Sequence, residues 1–586
     1  MKSFFKNVLS TIVGMVLAVF VIVLLFIGIV SFSMSSLNND KEVTVKENSI
    51  LKINLAELSV VERTSENPFE GLNFSGDLPK TIALKQVLDN IEKAKTDENI
   101  KAIYINTPYV SAGISQIEEI RNKLLEFKQT GKPIIAYSEV YNQAAYYLSS
   151  VANTVYLNPE GIVELKGLSA SIMFYKGLFK KLDIDVQIIR HGKYKSAIEP
   201  FILDKMSDAN REQMQLLLNS FADNIMDSIA NQRGLTLTEV QQHANTLSLE
   251  NAKSCIDYKY VDALLYQDQL EDTLKALSGA EKLSIVTLSK YTHVKGNKKE
   301  ISRNKIAIIY ATGSINSGKG DEKSIGSVST SAAIKKARKD KNVKAIVLRI
   351  NSPGGSALAS DVIWRETILA KAEKPLVVSM GDYAASGGYY IACAADSIVA
   401  NPTTLTGSIG VFGMIPNLSK FYKNKLGITI DTVNTGKYAD MGVNRPLSTF
   451  EKNKIQTNVK NIYTTFITHV GEGRNMSTTA VDDIGQGRVW TGYDAKEIGL
   501  IDTYGGLEKA IEIAAYLAKA EDYRTISLPK KRNPFEELSL KIGGEASISN
   551  LILSKFGFTT QMTEPIEELL KGDRIQARVP FIMELK

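Results

Sequence analysis

Six sequence landmarks occur twice in this chain, in the same order and at almost constant spacing. Residues 99–106 (Asn-Ile-Lys-Ala-Ile-Tyr-Ile-Asn) return as residues 342–351 with two additional residues. Lys132-Pro133 returns as Lys374-Pro375, and Tyr146-Tyr147 as Tyr389-Tyr390. Asn158-Pro159 answers Asn401-Pro402, Gly192-Lys193-Tyr194 answers Gly436-Lys437-Tyr438, and Ala252-Lys253 answers Ala495-Lys496. From the second landmark onward the offset stays between 242 and 244 residues. A period this long is a duplicated domain and not a solenoid. Within the later unit, apolar runs of strand length (306–310, 345–350, 376–380) alternate with stretches of helical spacing (330–338, 357–372). That alternation predicts an α/β layer with right-handed crossovers in each unit. The polar, basic stretch 295–305 reads as the linker, which gives units at 40–295 and 296–525 and a tail, 526–586, with no assigned chemistry.

The amino end differs in kind. From Asn7 to Asn39 there is no charged residue, and its core, Val8 to Val30, is long and apolar enough to cross a hydrocarbon layer of about 30 Å. A cleaved signal peptide has a shorter apolar stretch, so 1–39 is expected to be a cytoplasmic tip followed by one retained transmembrane helix. Lys2 and Lys6 before the run and Asp40 after it put the amino end in the cytoplasm and the body across the membrane. Two cysteines, Cys255 and Cys393, exclude a disulfide scaffold. With four histidines, no HExxH and no CxxC, no metal site and no cofactor is expected. A formal charge of +6 over 586 residues gives no argument for nucleic acid.

One nucleotide-binding motif is set aside first. Gly313 to Lys319 copies most of a P-loop, but Gly320 stands where a magnesium-holding Ser or Thr is required. The better signal is Asp382-Tyr-Ala-Ala-Ser386-Gly-Gly-Tyr-Tyr390, directly after a predicted strand. A serine at a strand-to-helix turn between small residues suits a nucleophile, although a helix cap is the commoner use of such a serine. Upstream, Gly354-Gly355 can aim backbone N–H groups at one point, as an oxyanion hole requires, or can form an ordinary tight turn.

Comparison of the units sharpens this. Opposite Ser386 the first unit carries Gln143, and opposite the glycine pair it carries Tyr109 and Val110. Conversely Lys195, in Gly192-Lys-Tyr-Lys195-Ser-Ala-Ile-Glu-Pro-Phe201, faces Ala439 in the second unit. One unit holds a serine and the other a lysine. Lysine is a base only when neutral, so its reference pKa of about 10.4 has to fall. Lys193 could press on it as a like charge, and Ala197, Ile198 and Phe201 could desolvate it. The alternative fate is a solvated surface lysine, with His191 as the next candidate base.

These motifs (Tyr194 to Phe201, Ser352 to Gly355, Ala385 to Tyr389 and Asn401 to Gly410) together resemble the signal peptide peptidase A (protease IV) family in its long two-copy form, over residues 1 to about 525. The resemblance implies tandem duplicated domains of the crotonase/Clp-protease fold behind one amino-terminal transmembrane helix. It implies a membrane-anchored serine endopeptidase of the inner (cytoplasmic) membrane, with its catalytic body on the external, periplasmic side. Ser386 is then the nucleophile and Lys195 the base, with Gly354, Gly355 and Gly387 at the oxyanion site and Ser408 orienting the lysine. Hydrophobic peptides such as signal-peptide remnants are the implied substrates, membrane lipid meets the anchor, and the assembly is a homotetramer. Two rivals stand beside it: a crotonase-type acyl-CoA enzyme, and a membrane-tethered scaffold with a decayed protease fold.

Overall fold

The computed structural model describes residues 44–64, 80–295, 302–321, 324–529 and 575–578, together with 6–7, 10–11 and 13–21 near the amino end. Most of the apolar run 8–30 therefore lies outside the described residues, and among those described no helix is long and apolar enough to cross a membrane.

Each unit is built on a parallel sheet, and the two sheets share one strand order. In the first the order is Ala263–Leu264, Thr154–Val163, Ile134–Tyr141, Ile100–Ile105, Ser49–Ile53, Ser284–Thr287. The second repeats it as Thr503–Tyr504, Ser397–Ala400, Leu376–Ala385, Val343–Ser352, Lys305–Thr312, Arg524–Leu528. The central strands are nearly continuous runs of Val, Ile, Leu and Ala buried on both faces, the composition of a sheet covered by helices on each side. The last strand carries the second sheet to Leu528, three residues past the boundary at 525 read from the sequence. The glycine-rich segment 313–320 is a short strand, Ser314–Asn316, and a turn. The next helix, Ser327–Lys339, opens only well beyond Lys319, so the segment lacks the helix start of a phosphate loop.

The units are interlocked. The first unit's apolar core takes in Ala385, Leu405 and Val489 of the second. Beside this contact Arg349, fully buried in the strand Val343–Ser352, meets Glu62 Oε2 through Nε (2.8 Å) and Glu119 Oε1 through Nη2 (2.7 Å). Asn351 donates to Glu62 and to Asp382, and Asp382 accepts from the backbone N–H of Ser115 at 2.9 Å. The first-unit Glu62 and Glu119 thus hold the strand that leads to the glycine pair, and the first-unit Ser115 amide holds Asp382 on the strand that leads to Ser386.

A smaller mixed sheet lies across this junction. Its order is Ser324–Gly326, Ser314–Asn316, Gly354–Ser356, Ile575–Arg578, Val411–Asn417, Asp185–His191. Asp185–His191, from the first unit, runs antiparallel to Val411–Asn417, with His191 opposite Val411 and Asp185 opposite Asn417. This pairing carries the following residues, Lys195 included, into the second unit.

Candidate active site

Ser386 sits between the strand Leu376–Ala385 and the helix Gly387–Ala392, at φ 56°, ψ −114°. An L residue in that conformation is strained by about 1–3 kcal/mol, and the tight turn it makes matches the exposed-nucleophile turn of other hydrolases. Its hydroxyl makes no cap bond to the helix, so the capping role allowed by sequence is not the one it plays. The first unit shows the contrast. Asn142 there caps the helix Gln143–Ser149, and Gln143 uses its amide oxygen to accept from the N–H groups of Lys166 (3.1 Å) and Gly167 (3.0 Å). Gly167 is the counterpart of Gly410, so a buried glutamine is bonded to the backbone at a place where the second unit has Lys195 packed against Gly410.

Lys195 is fully buried, and its Nζ lies 2.6 Å from Ser386 Oγ. The same nitrogen contacts Ser408 Oγ at 3.0 Å and the Ser408 carbonyl at 3.1 Å. Ser408, at φ 50°, also reaches the Gly487 carbonyl at 3.3 Å. Desolvation alone pushes the Lys195 amine well below the ordinary lysine range. Lys193, offered by the sequence as a source of like-charge pressure, plays no part in that shift; its ammonium lies over the Tyr194 ring, 5.1 Å from the centroid. The corresponding Ala439 of the second unit is exposed. His191 packs against Tyr463 with ring centroids 4.1 Å apart and the planes tilted by 37°, and among the described residues no hydrogen bond joins it to Ser386 or Lys195.

The three glycines converge on this point with different tasks. The N–H of Gly354 donates to Ser352 Oγ (3.2 Å), so its amide is engaged within its own turn. Gly354 has φ 102°, and a methyl group there would come within 2.8 Å of Gly387 N and collide with the Ala577 carbonyl. A methyl on Gly387 would lie 3.2 Å from Gly355 N and 3.3 Å from Ala577 O. The backbones of Gly354, Gly355 and Gly387 thus crowd together beside the Ser386 turn, closer than side chains there would allow.

Two further residues are essential to the geometry and were not singled out from sequence. A methyl on Gly487 would lie 2.7 Å from Lys195 N and Cβ, and one on Gly410 would lie 3.2 Å from Lys195 Cδ. The lysine stem runs between these two glycines. Nothing local marks Gly487, whereas Gly410 falls inside the repeated Asn-Pro motif region. Arg349 was missed too, although a charged residue in an otherwise apolar strand signals a buried partner.

A buried amine against a serine hydroxyl, at a strained turn beside converging backbone amides, is equipment for acyl transfer from a peptide. The model of peptidase family S49 matches residues 126–281 and 368–521, one stretch in each unit. Protease 4 of Salmonella typhi is 35% identical over 541 residues, covering 89% of this chain and 87% of that protein. The chloroplastic serine protease SPPA of Arabidopsis thaliana is 35% identical over 515 residues (86% and 75%), and Protease 4 of Haemophilus influenzae is 34% identical over 513 (84% and 83%). A solved ClpP1 mutant from Listeria monocytogenes aligns over 35% of this chain and 94% of its own at 14% identity and a TM-score of 0.24, too loosely to carry an argument. The chain belongs to peptidase family S49 and is a serine peptidase with two S49 repeats.

Proposed function

We propose that this chain is a membrane-anchored endopeptidase that uses a Ser386–Lys195 dyad to degrade signal-peptide remnants and other short hydrophobic peptides. The observation that carries the reading is the 2.6 Å approach of Lys195 Nζ to Ser386 Oγ in a site closed to water on both sides of the contact. Neutral Lys195 takes the hydroxyl proton as Ser386 Oγ adds to the scissile carbonyl, and the amides of Gly355 and Gly387 receive the oxyanion. The lysine ammonium then returns the proton to the departing amine, leaving an ester on Ser386. Water, deprotonated by Lys195, adds to that ester and releases the acid, and the serine regains its proton. Ser408 holds the lysine nitrogen in line throughout.

The uncharged stretch from Asn7 to Asn39 supports a single-pass anchor in the cytoplasmic membrane, with the body on the external side. Repetition supports self-assembly. Inside the chain, Asp185–His191 pairs with Val411–Asn417. Their counterparts one repeat away, residues 429–435 and 168–174, pair with no strand of the described residues, and expose Ile430 (46%), Val433 (98%) and Met173 (45%). Pairing 429–435 of one molecule with 168–174 of the next would reuse the internal joint head to tail and close a homo-oligomer, a tetramer by resemblance.

Hydrolysis of a fluorogenic hydrophobic peptide by wild type, Ser386→Ala, Lys195→Ala and the double variant tests the dyad. Each single change is expected to lower kcat by at least about a hundredfold, with the double variant scarcely worse than either. Near wild-type turnover in Lys195→Ala would overturn the assignment of the base.

A further inference from the structure

Residues 485–488 join the helix Thr478–Ile484 to the strand Val489–Thr491 and run against the backbone of Lys195. They close a tight turn, in which the Arg488 N–H donates to the Gly485 carbonyl at 2.9 Å. Its two central residues, Gln486 (φ 53°) and Gly487 (φ 81°), are both left-handed. Turns of that kind favour Asn, Asp or Gly at the first central position, and glutamine enters the left-handed region reluctantly. Other groups must hold it there.

Two side chains do so. The Tyr463 hydroxyl accepts from the Gln486 N–H at 3.2 Å and donates its own proton to Asp482 Oδ1. The same carboxylate oxygen accepts from the Gln486 side-chain amide at 2.5 Å. Tyr463 comes from the long helix Thr449–Arg474 and is buried, while Asp482 comes from Thr478–Ile484. Burial and the bond to Asp482 push the phenol above the usual tyrosine range, so it remains a donor. His191 lies against the Tyr463 ring, and Asp482 and Lys460 are the charged groups that act on its imidazole.

From the turn, bonds run to both sides of the lysine. The Gln486 carbonyl accepts from the N–H of Tyr194, the residue before Lys195, at 2.9 Å. The Gly487 N–H donates to the Ile409 carbonyl and the Ser408 N–H to the Arg488 carbonyl, each at 2.7 Å. Ser408 is the residue whose hydroxyl and carbonyl meet Lys195 Nζ. One turn therefore places both the lysine backbone and the oxygens around its amine.

We propose that Tyr463 and Asp482 are positioning residues of this peptidase, locking the left-handed turn at Gln486 so that the turn holds Lys195 and Ser408 against Ser386. The proposal rests on the reading of Lys195 as the base. Neither side chain touches the reacting atoms, so their loss misplaces the amine and leaves peptide binding intact. A loosened turn also admits water to Nζ, which returns the lysine toward its ordinary titration range.

The test compares full-length wild type, Tyr463→Phe, Asp482→Ala and Asp482→Asn on a fluorogenic hydrophobic peptide, with kcat, KM and the ascending pH limb of kcat/KM measured for each. Tyr463→Phe and Asp482→Ala are expected to lower kcat about ten- to a hundredfold with KM within about twofold, and to move the limb to higher pH. Asp482→Asn keeps an oxygen for both bonds and is expected to retain most of the activity. Gln486→Gly supplies a residue that adopts the left-handed turn unaided, so adding it to Tyr463→Phe is expected to raise kcat at least about fivefold. A loss seen only in Tm or KM, with the limb unmoved and no gain from Gln486→Gly, would overturn the proposal, as would unchanged kcat in both Tyr463→Phe and Asp482→Ala. Lys195→Ala, measured alongside, separates the two readings. Near wild-type turnover in it would remove the base and this proposal together, whereas an inactive Lys195→Ala beside fully active Tyr463→Phe and Asp482→Ala would remove the positioning role alone.

Discussion

Lys195 Nζ and Ser386 Oγ stand 2.6 Å apart, although 191 positions separate them and each belongs to a different repeat. The contact depends on the strand pairing of Asp185–His191 with Val411–Asn417, so the proposed dyad is a product of how the units dock and neither unit alone holds both residues. Duplication made this possible: each unit could lose half of a site once the other half was held against it. The glutamine at position 143, satisfied by the backbone of Lys166 and Gly167, is what the abandoned half became.

The pH profile follows from the burial of the lysine. Only neutral Lys195 accepts the serine proton, so kcat/KM is expected to rise with pH through the lysine's own titration. Desolvation places that limb well below the value of about 10.4 of an ordinary lysine. His191→Gln is expected to leave the limb where it is, since the imidazole rests on Tyr463. A limb that disappears in His191→Gln, or a flat profile with chemistry rate-limiting, would count against a lysine base.

A buried amine is also a stability liability. The unfolded chain keeps the Lys195 proton up to about pH 10.4, whereas the folded chain releases it well below that. Between the two values the unfolded state binds more protons, so wild-type stability rises with pH across this window. Lys195→Met removes the effect. It is expected to be inactive, yet more stable at neutral pH by on the order of 1–2 kcal/mol, read as a higher Tm. The gain is expected to shrink as pH approaches about 10.4, and a variant less stable than wild type at every pH would contradict the account.

Arg349 carries the opposite liability. Glu62 and Glu119 are both buried against it, and removing the guanidinium leaves two carboxylates with no cation. Arg349→Met is expected to destabilise by about 3–5 kcal/mol. Adding Glu62→Gln and Glu119→Gln is expected to recover most of the lost Tm, because the uncompensated charges go with them. Recovery of folding without peptidase activity would show that the cluster also sets the positions of Asn351 and Asp382, on the strands that lead to Gly354 and Ser386.

How far the sequence disclosed this arrangement depends on the range of each signal. The β-rich runs and the Ser386 turn are local patterns that give the α/β class, and the repeat accounts for one sheet order being seen twice, although the order itself appears only in the structure. The opposition of Lys195 to Ala439 was legible because duplication supplies an internal reference. Apart from Lys195 and Ser386, which the family resemblance joined, pairings across the units were not. Arg349 and Glu62 are 287 positions apart, and nothing in either segment names the other. The same holds for Gly487, an ordinary glycine until Lys195 is laid against it. Ile575–Arg578 is four residues long, too short for alternation to stand out, and the two strands that hold it lie far upstream in the chain.

The head-to-tail joint makes the sharpest prediction about assembly. If residues 429–435 of one molecule pair with 168–174 of the next, the two edges are different surfaces, and each can be disabled alone. Val433→Asp places a charge on the first edge, and Met173→Asp places one on the second. Each variant keeps one working edge, but all its neighbours of the same kind lack the complement, so each is expected to sediment as a monomer in detergent. Mixed in equal amounts, the intact 168–174 edge of the Val433→Asp chain meets the intact 429–435 edge of the Met173→Asp chain. One joint forms and the outer edges are both blocked, so the mixture is expected to stop at a dimer. Wild-type mass in either variant alone would place the interface elsewhere, and a mixture that regained the full assembly would show that the joint is not directional.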